Sequence, residues 1–143
     1  MAATRNARAH WEGSLLEGAG QVNLESSGLG TFDVTWAART EEAASGRTSP
    51  EELIAAAHSS CYNMALSHAL ATAGNPPEAL DTAAAVTFQP GEGITGIKLA
   101  VNGKVPGLTA EEFASFAEDA KKNCPVSQAL TGTTITLDVT FTA

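Results

Sequence analysis

The chain has 143 residues, of which two are cysteine, and a formal net charge of −8, with eight lysines and arginines against sixteen aspartates and glutamates. That length suits a single domain over residues 1–143 with a real hydrophobic core, which needs no disulfide to stay folded. The acidic balance argues against nucleic acid or an anionic membrane as partner, and no apolar run is long enough to span a bilayer.

The opening Met-Ala-Ala-Thr-Arg-Asn-Ala-Arg lacks the apolar stretch of a secretion signal, so the expected compartment is the cytosol, where a disulfide is transient rather than structural. Residues 8–16 and 18–26 read as two strands separated by Glu17-Gly18. Gly28-Leu-Gly30 reads as a tight turn rather than a phosphate cradle, because no basic residue or helix start follows it. Phe32, Val34, Trp36 and Ala38 then alternate with Asp33, Thr35 and Ala37, the period of a half-buried strand, and the small polar stretch 40–48 reads as a loop.

A helix follows with Ser49 as N-cap, Pro50 at the first helical position and Glu52 where a capping box wants a carboxylate. It runs to Ala73, where Gly74 supplies a left-handed stop and Pro76-Pro77 lie just beyond. Ala84, Val86 and Phe88 mark another strand, Gly91-Glu92-Gly93 a turn, and Ile97, Leu99 and Val101 its neighbour. Thr109-Ala-Glu-Glu112 repeats the cap-and-carboxylate pattern and opens a helix that Cys124-Pro125 interrupts. Ile135, Leu137, Val139 and Phe141 form the last strand. The order βββ-α-ββ-α-β, with mostly antiparallel neighbours, defines an α+β class.

Each cysteine has a plain reading as core filler, since free cysteine is among the most buried residue types. The local frames point further. Cys124 stands before Pro125 as the N-cap of a short helix, where unpaired N–H groups and the helix dipole favour a thiolate. Cys61 shares a helix face with Leu53 and Ala57, which directs it toward the core, where burial raises a thiol pKa, so a reactive Cys61 requires a nearby cation. Arg39, at the end of the Phe32–Ala38 stretch, stands out among the few cations, although a solvated strand end would look the same. His58 precedes Cys61 by one helical turn, which allows a Cys–His ion pair or simply a histidine packed on a helix face. Cys61, His58 and His68 do not converge on one point, and no CxxC or HxxxH spacing occurs, so neither a metal nor a cofactor is expected.

Three blocks, Ala9-His-Trp-Glu-Gly13, Ser49-Pro-Glu-Glu-Leu-Ile-Ala-Ala-Ala-His-Ser-Ser-Cys61 and Asn123-Cys-Pro-Val-Ser-Gln-Ala-Leu130, resemble the OsmC/Ohr family of osmotically induced and organic hydroperoxide resistance proteins. The resemblance covers nearly the whole chain in one order, and the first block with His58 resembles the OsmC branch. It implies a mostly antiparallel sheet packed on a long central helix, an intertwined homodimer, and a thiol peroxidase that reduces organic hydroperoxides better than hydrogen peroxide. It further implies Cys61 as the peroxidatic thiol, Cys124 as the resolving thiol, Arg39 as the arginine that activates the thiolate and Glu51 as the carboxylate that holds Arg39. Arg47 is the fallback arginine. A lipoyl or other dithiol reductant would restore the thiols.

Glu51 and Cys61 are ten positions apart, about 15 Å along a straight helix. One Arg39 side chain cannot meet both in a single subunit unless the helix bends, whereas supplying Arg39 and Glu51 from a second subunit removes the difficulty. The rival reading from the residues is a non-enzymatic small-ligand carrier with both cysteines in its core.

Overall fold

Side-chain alternation ends sooner in the first strands than the sequence pattern suggests. In the computed structural model, which describes all 143 residues, β1 (Arg8–Glu12), β2 (Ala19–Asn23) and β3 (Thr31–Val34) form an antiparallel sheet in that order. Residues 13–16, expected to continue the first strand, join Glu17-Gly18 in a turn closed by the Gly18 N–H on the Ser14 carbonyl at 2.8 Å. The stretch expected to remain a strand to Ala38 is the clearest correction. The Thr35 hydroxyl accepts the Ala38 N–H at 3.1 Å and starts a short helix, α1 (Trp36–Thr40). A threonine able to satisfy an orphan helical N–H outweighs a four-residue alternation. The 40–48 loop is largely as expected, and Thr48 makes a β-bridge with Val34.

The long helix α2 (Pro50–Thr72) begins where its caps predict. The Ser49 hydroxyl accepts the Glu52 N–H at 3.2 Å, while the Glu52 carboxylate is engaged by the Thr48 hydroxyl at 2.6 Å, so half of the expected capping box forms. At its other end Gly74 adopts φ +92°, and the Gly74 and Asn75 N–H groups bond the Ala71 and Leu70 carbonyls. That double bond to the last turn is a Schellman stop, which a Cβ at position 74 would strain.

The chain divides into two compact units, Met1–Leu53 and Ile54–Ala143. The second is built on β4 (Ala79–Gln89), β5 (Gly93–Lys104) and β6 (Thr134–Thr142), with β5 in the centre. The β4–β5 pair is an antiparallel hairpin, whereas β5 and β6 run parallel. A parallel pair needs a crossover, supplied here by α3 (Ala110–Asn123) and α4 (Pro125–Ala129). The expected antiparallel preference thus holds for the other strand pairs, and the strands form two three-stranded sheets.

The core of this unit lies between α2, the central strand and α3. Tyr62, Leu66 and Leu70, four residues apart on α2, are fully buried, as are Leu99 on β5 and Phe113 on α3. Phe113 stacks on Phe141 with ring centroids 5.0 Å apart. Gly103 makes that approach possible, since a Cβ there would stand 2.3 Å from the Phe113 ring. The Thr109–Glu112 capping box is complete at the start of α3. The family resemblance is thus met in fold class, with α+β layers and a long helix against a sheet.

Candidate active site

The buried stripe of α2 passes through His58, Tyr62, Leu66 and Leu70, one step around the helix from the Leu53–Ala57–Cys61 face expected. Ala57 is exposed, and Cys61 sits at the edge of the stripe, half-buried and packed against the core. A helix rich in alanine and serine is apolar on several sides, so the sequence alone leaves its inward face open by one residue. A thiol at the margin of the core suits chemistry better than one within it, because a substrate must reach it.

Cys124 is wholly buried, at the joint between α3 and α4. The break there forms as expected, with the Cys124 N–H closing α3 on the Ala120 carbonyl and Pro125 opening α4. The side chain does not cap α4, however. The freed Val126 N–H instead faces the Cys61 sulfur, and the Cys124 thiol is its other polar neighbour. The helix start that the sequence suggested as a partner for Cys124 thus serves Cys61. Burial is the largest influence on the Cys61 thiol and pushes its pKa up. The Val126 N–H opposes this and the neighbouring Cys124 reinforces it. Both cysteines are free thiols.

His58 does not pair with Cys61. Its Nε2 lies 2.7 Å from Ser127 Oγ, its Nδ1 is buried without a partner, and burial lowers its pKa from 6.5. The ring is therefore held neutral, and the Cys–His ion pair considered from the sequence is not formed. Sequence reasoning missed Ser127. The signal available was the repeated spacing of three, from His58 to Cys61 and from Cys124 to Ser127, which sets two residues one turn apart on each helix.

In the Met1–Leu53 unit, Arg39 lies in the last turn of α1 and Glu51 in the first turn of α2. Arg39 Nε is 2.9 Å from Glu51 Oε1 and Nη2 is 3.0 Å from Oε2, a two-pronged charged pair that fixes the guanidinium plane. The Glu51 side chain is only 8% exposed against 29% for Arg39, and the guanidinium carbon stands 5.9 Å from the Trp36 ring centre. Arg47, the alternative, is exposed in the loop before α2. Along α2 on either side of Cys61, Ile54 and Ala65 pack against the core, while Ala57 and Met64 are exposed, Met64 by 72%.

A dithiol–disulfide couple requires two thiols within reach of each other, and here one lies at the core margin with the other fully buried beside it. The profile of the OsmC-like protein family matches residues 41–140. The chain is 41% identical to the peroxiredoxin OsmC of Escherichia coli over 141 residues, 96% of each chain. It is 30% identical to the organic hydroperoxide resistance protein-like 2 of Staphylococcus saprophyticus over 124 residues, 84% of this chain and 87% of that one. The crystal structure of an organic hydroperoxide resistance protein from Elizabethkingia anophelis superposes with a TM-score of 0.71 at 25% identity, over 99% of this chain and 100% of that one. This chain belongs to the OsmC family.

Proposed function

We propose that the protein is a thiol-dependent peroxidase that reduces organic hydroperoxides to alcohols, with Cys61 as the attacking thiol and Cys124 as the resolving one. The observation that carries the division of labour is the arrangement of the pair: Cys61 is reachable and receives the Val126 N–H, whereas Cys124 is sealed in the core beside it. The printed names of the relatives, a peroxiredoxin and hydroperoxide resistance proteins, support the reaction class.

In the first step the Cys61 thiolate attacks the distal peroxide oxygen. The O–O bond breaks, a sulfenic acid forms on Cys61, and the alkoxide leaves with a proton as the alcohol. The sulfur loses two electrons and the peroxide gains them. In the second step the Cys124 sulfur attacks the Cys61 sulfur, the S–O bond breaks, and hydroxide leaves with the Cys124 proton as water. A dithiol reductant, of lipoyl or similar type, then takes over the disulfide and releases both thiols. Such a cycle belongs in the reducing cytosol, where no protein disulfide persists by default.

Burial alone keeps Cys61 protonated, so the first step needs a cation beside the sulfur. Arg39 is that cation in this reading, with Glu51 holding its planar fork for the polarising peroxide. The fork is bound at Glu51, ten residues before Cys61 on α2, about 15 Å of helical rise. We assign Arg39 and Glu51 to the site of a second copy, in a homodimer with two shared sites. No helix of the chain is long and apolar enough to cross a membrane.

Adding one equivalent of cumene hydroperoxide to the reduced protein should remove two titratable thiols per chain and yield one equivalent of alcohol. Retention of both thiols would overturn the reading in favour of a non-enzymatic carrier.

A further inference from the structure

The two segments that carry the thiols meet at a second point. His58 and Cys61 lie three residues apart on α2, and Cys124 and Ser127 three apart at the start of α4. Cys61 neighbours Cys124, and His58 Nε2 is hydrogen-bonded to Ser127 Oγ at 2.7 Å. We infer that the His58–Ser127 hydrogen bond is a positioning contact for the resolving thiol, holding α4 in register on α2 so that Cys124 stays within reach of the Cys61 sulfur.

Three observations support this role. First, α4 has five residues and its N-cap Cys124 makes no side-chain cap bond, so the helix has little tendency to persist unaided. Its place depends on tertiary contacts: Val126 and Leu130 packing on the core, and Ser127 on His58. Apolar packing tolerates sliding, whereas a hydrogen bond fixes two atoms to a few tenths of an ångström.

Second, this contact is dry. His58 is 0% and Ser127 2% exposed, so water does not compete for either partner. The imidazole is kept although its Nδ1 is buried without a partner, a cost that an apolar side chain of similar size would avoid. The Nε2 bond to Ser127 is what the ring supplies in return. Burial keeps that ring neutral, so it acts by geometry and not by charge on the thiolate.

Third, the second chemical step has a narrow geometric tolerance. A disulfide requires the two sulfurs about 2.05 Å apart and the Cβ atoms about 3.5–4.5 Å apart. Drift of α4 by about an ångström slows closure far more than the first step, which meets α4 only through the Val126 N–H at the Cys61 sulfur.

The inference rests on the proposed roles of Cys61 and Cys124, and its test separates the two. Stopped-flow single turnovers with cumene hydroperoxide would record alcohol formation for the first step and loss of the second thiol for closure. Ser127→Ala removes the bond at nearly constant volume and His58→Phe removes it with a somewhat larger ring, while His58→Gln can still present a nitrogen toward Ser127. The expected result is alcohol formation within about twofold of the parent, and closure slowed roughly tenfold in Ser127→Ala and His58→Phe. Sulfenic acid should accumulate where a dione reagent can trap it, with closure largely restored in His58→Gln.

Closure at the parental rate in both Ser127→Ala and His58→Phe would overturn the inference. So would an equal slowing of both steps, which marks a general structural defect. Diamide closes the same disulfide without hydroperoxide, taking two electrons and two protons from the thiols to become its hydrazine. If the parent protein reduces no hydroperoxide, the peroxidase reading fails, and the order of closure rates with diamide still decides the positioning role.

Discussion

The Arg39–Glu51 pair and the Cys61–Cys124 pair solve opposite problems with the same means, partial removal from water. In the Met1–Leu53 unit a carboxylate that is 8% exposed is gripped by a two-pronged guanidinium. In the Ile54–Ala143 unit two free thiols neighbour each other, and burial pushes the Cys61 pKa up. One region has charge without a nucleophile, and the other a nucleophile without charge. In the proposed mechanism neither pair suffices alone, because an attacking thiolate needs the kind of cation that the other pair holds.

The largest effect that would break this comparison comes from the thiols. Cys61→Ser should lower steady-state hydroperoxide consumption by about a thousandfold or more, since no other group can take the attacking role. Cys124→Ser should allow one turnover and leave a trappable sulfenic acid, measured by mass after dione labelling. Retained turnover in Cys61→Ser would exchange the two assignments.

Next comes the charged pair. Arg39→Ala should cost on the order of a hundredfold in kcat/KM, the usual effect of removing one oriented donor from a reacting oxygen. Arg39→Lys should recover little, because an ammonium lacks the fork. The pH midpoint of alkylation of Cys61 should rise in Arg39→Ala, since burial then acts unopposed by the guanidinium. Arg47→Ala should match the parent, and the reverse pattern would transfer the role to the exposed loop. Mixed dimers of Cys61→Ser and Arg39→Ala subunits should regain activity. A fully active monomer at micromolar concentration would exclude a shared site.

A smaller effect concerns the substrate. Ile54 and Ala65 pack against the core beside α2, so carbon near the thiol has apolar surface to cover. Each buried CH₂ contributes about 0.8 kcal/mol, or roughly fourfold. The ratio of kcat/KM for cumene hydroperoxide to that for hydrogen peroxide, under one reductant, should exceed several-fold. A ratio near one would indicate an open, polar site.

The smallest effect is on stability. The native pKa of His58 is lowered from 6.5 by burial, so on acidification the unfolded chain takes up this proton before the native one does. Its contribution is therefore fully present above pH 6.5 and is lost as the pH falls below that value toward the native pKa. Urea unfolding at pH 7 and pH 5 should show a smaller loss in His58→Gln than in the parent. An equal loss in both would place the acid sensitivity elsewhere.

Much of this molecule was legible without coordinates. Ser49-Pro50, the Thr109–Glu112 capping box, the Gly74 stop, the Cys124-Pro125 break and the alternation of Ile135 to Phe141 all depend on interactions within about one helical turn or one strand period. Such interactions are encoded by neighbours in the chain, and the two sequence blocks around the cysteines carried the family with them. Tertiary structure decided the rest. The α1 turn replaced the end of a strand because one threonine hydroxyl found an orphan N–H. The inward face of α2 shifted from Cys61 to Tyr62 because alanine and serine leave several faces apolar, and only the packing of the bulky Tyr62, Leu66 and Leu70 against the core selects one. The Val126 N–H turned to Cys61 rather than Cys124, and Ser127 met His58 across 69 residues, because those contacts exist only when α4 lies on α2. Local chemistry set where the helices begin and end, and long-range packing set which atoms they present to each other.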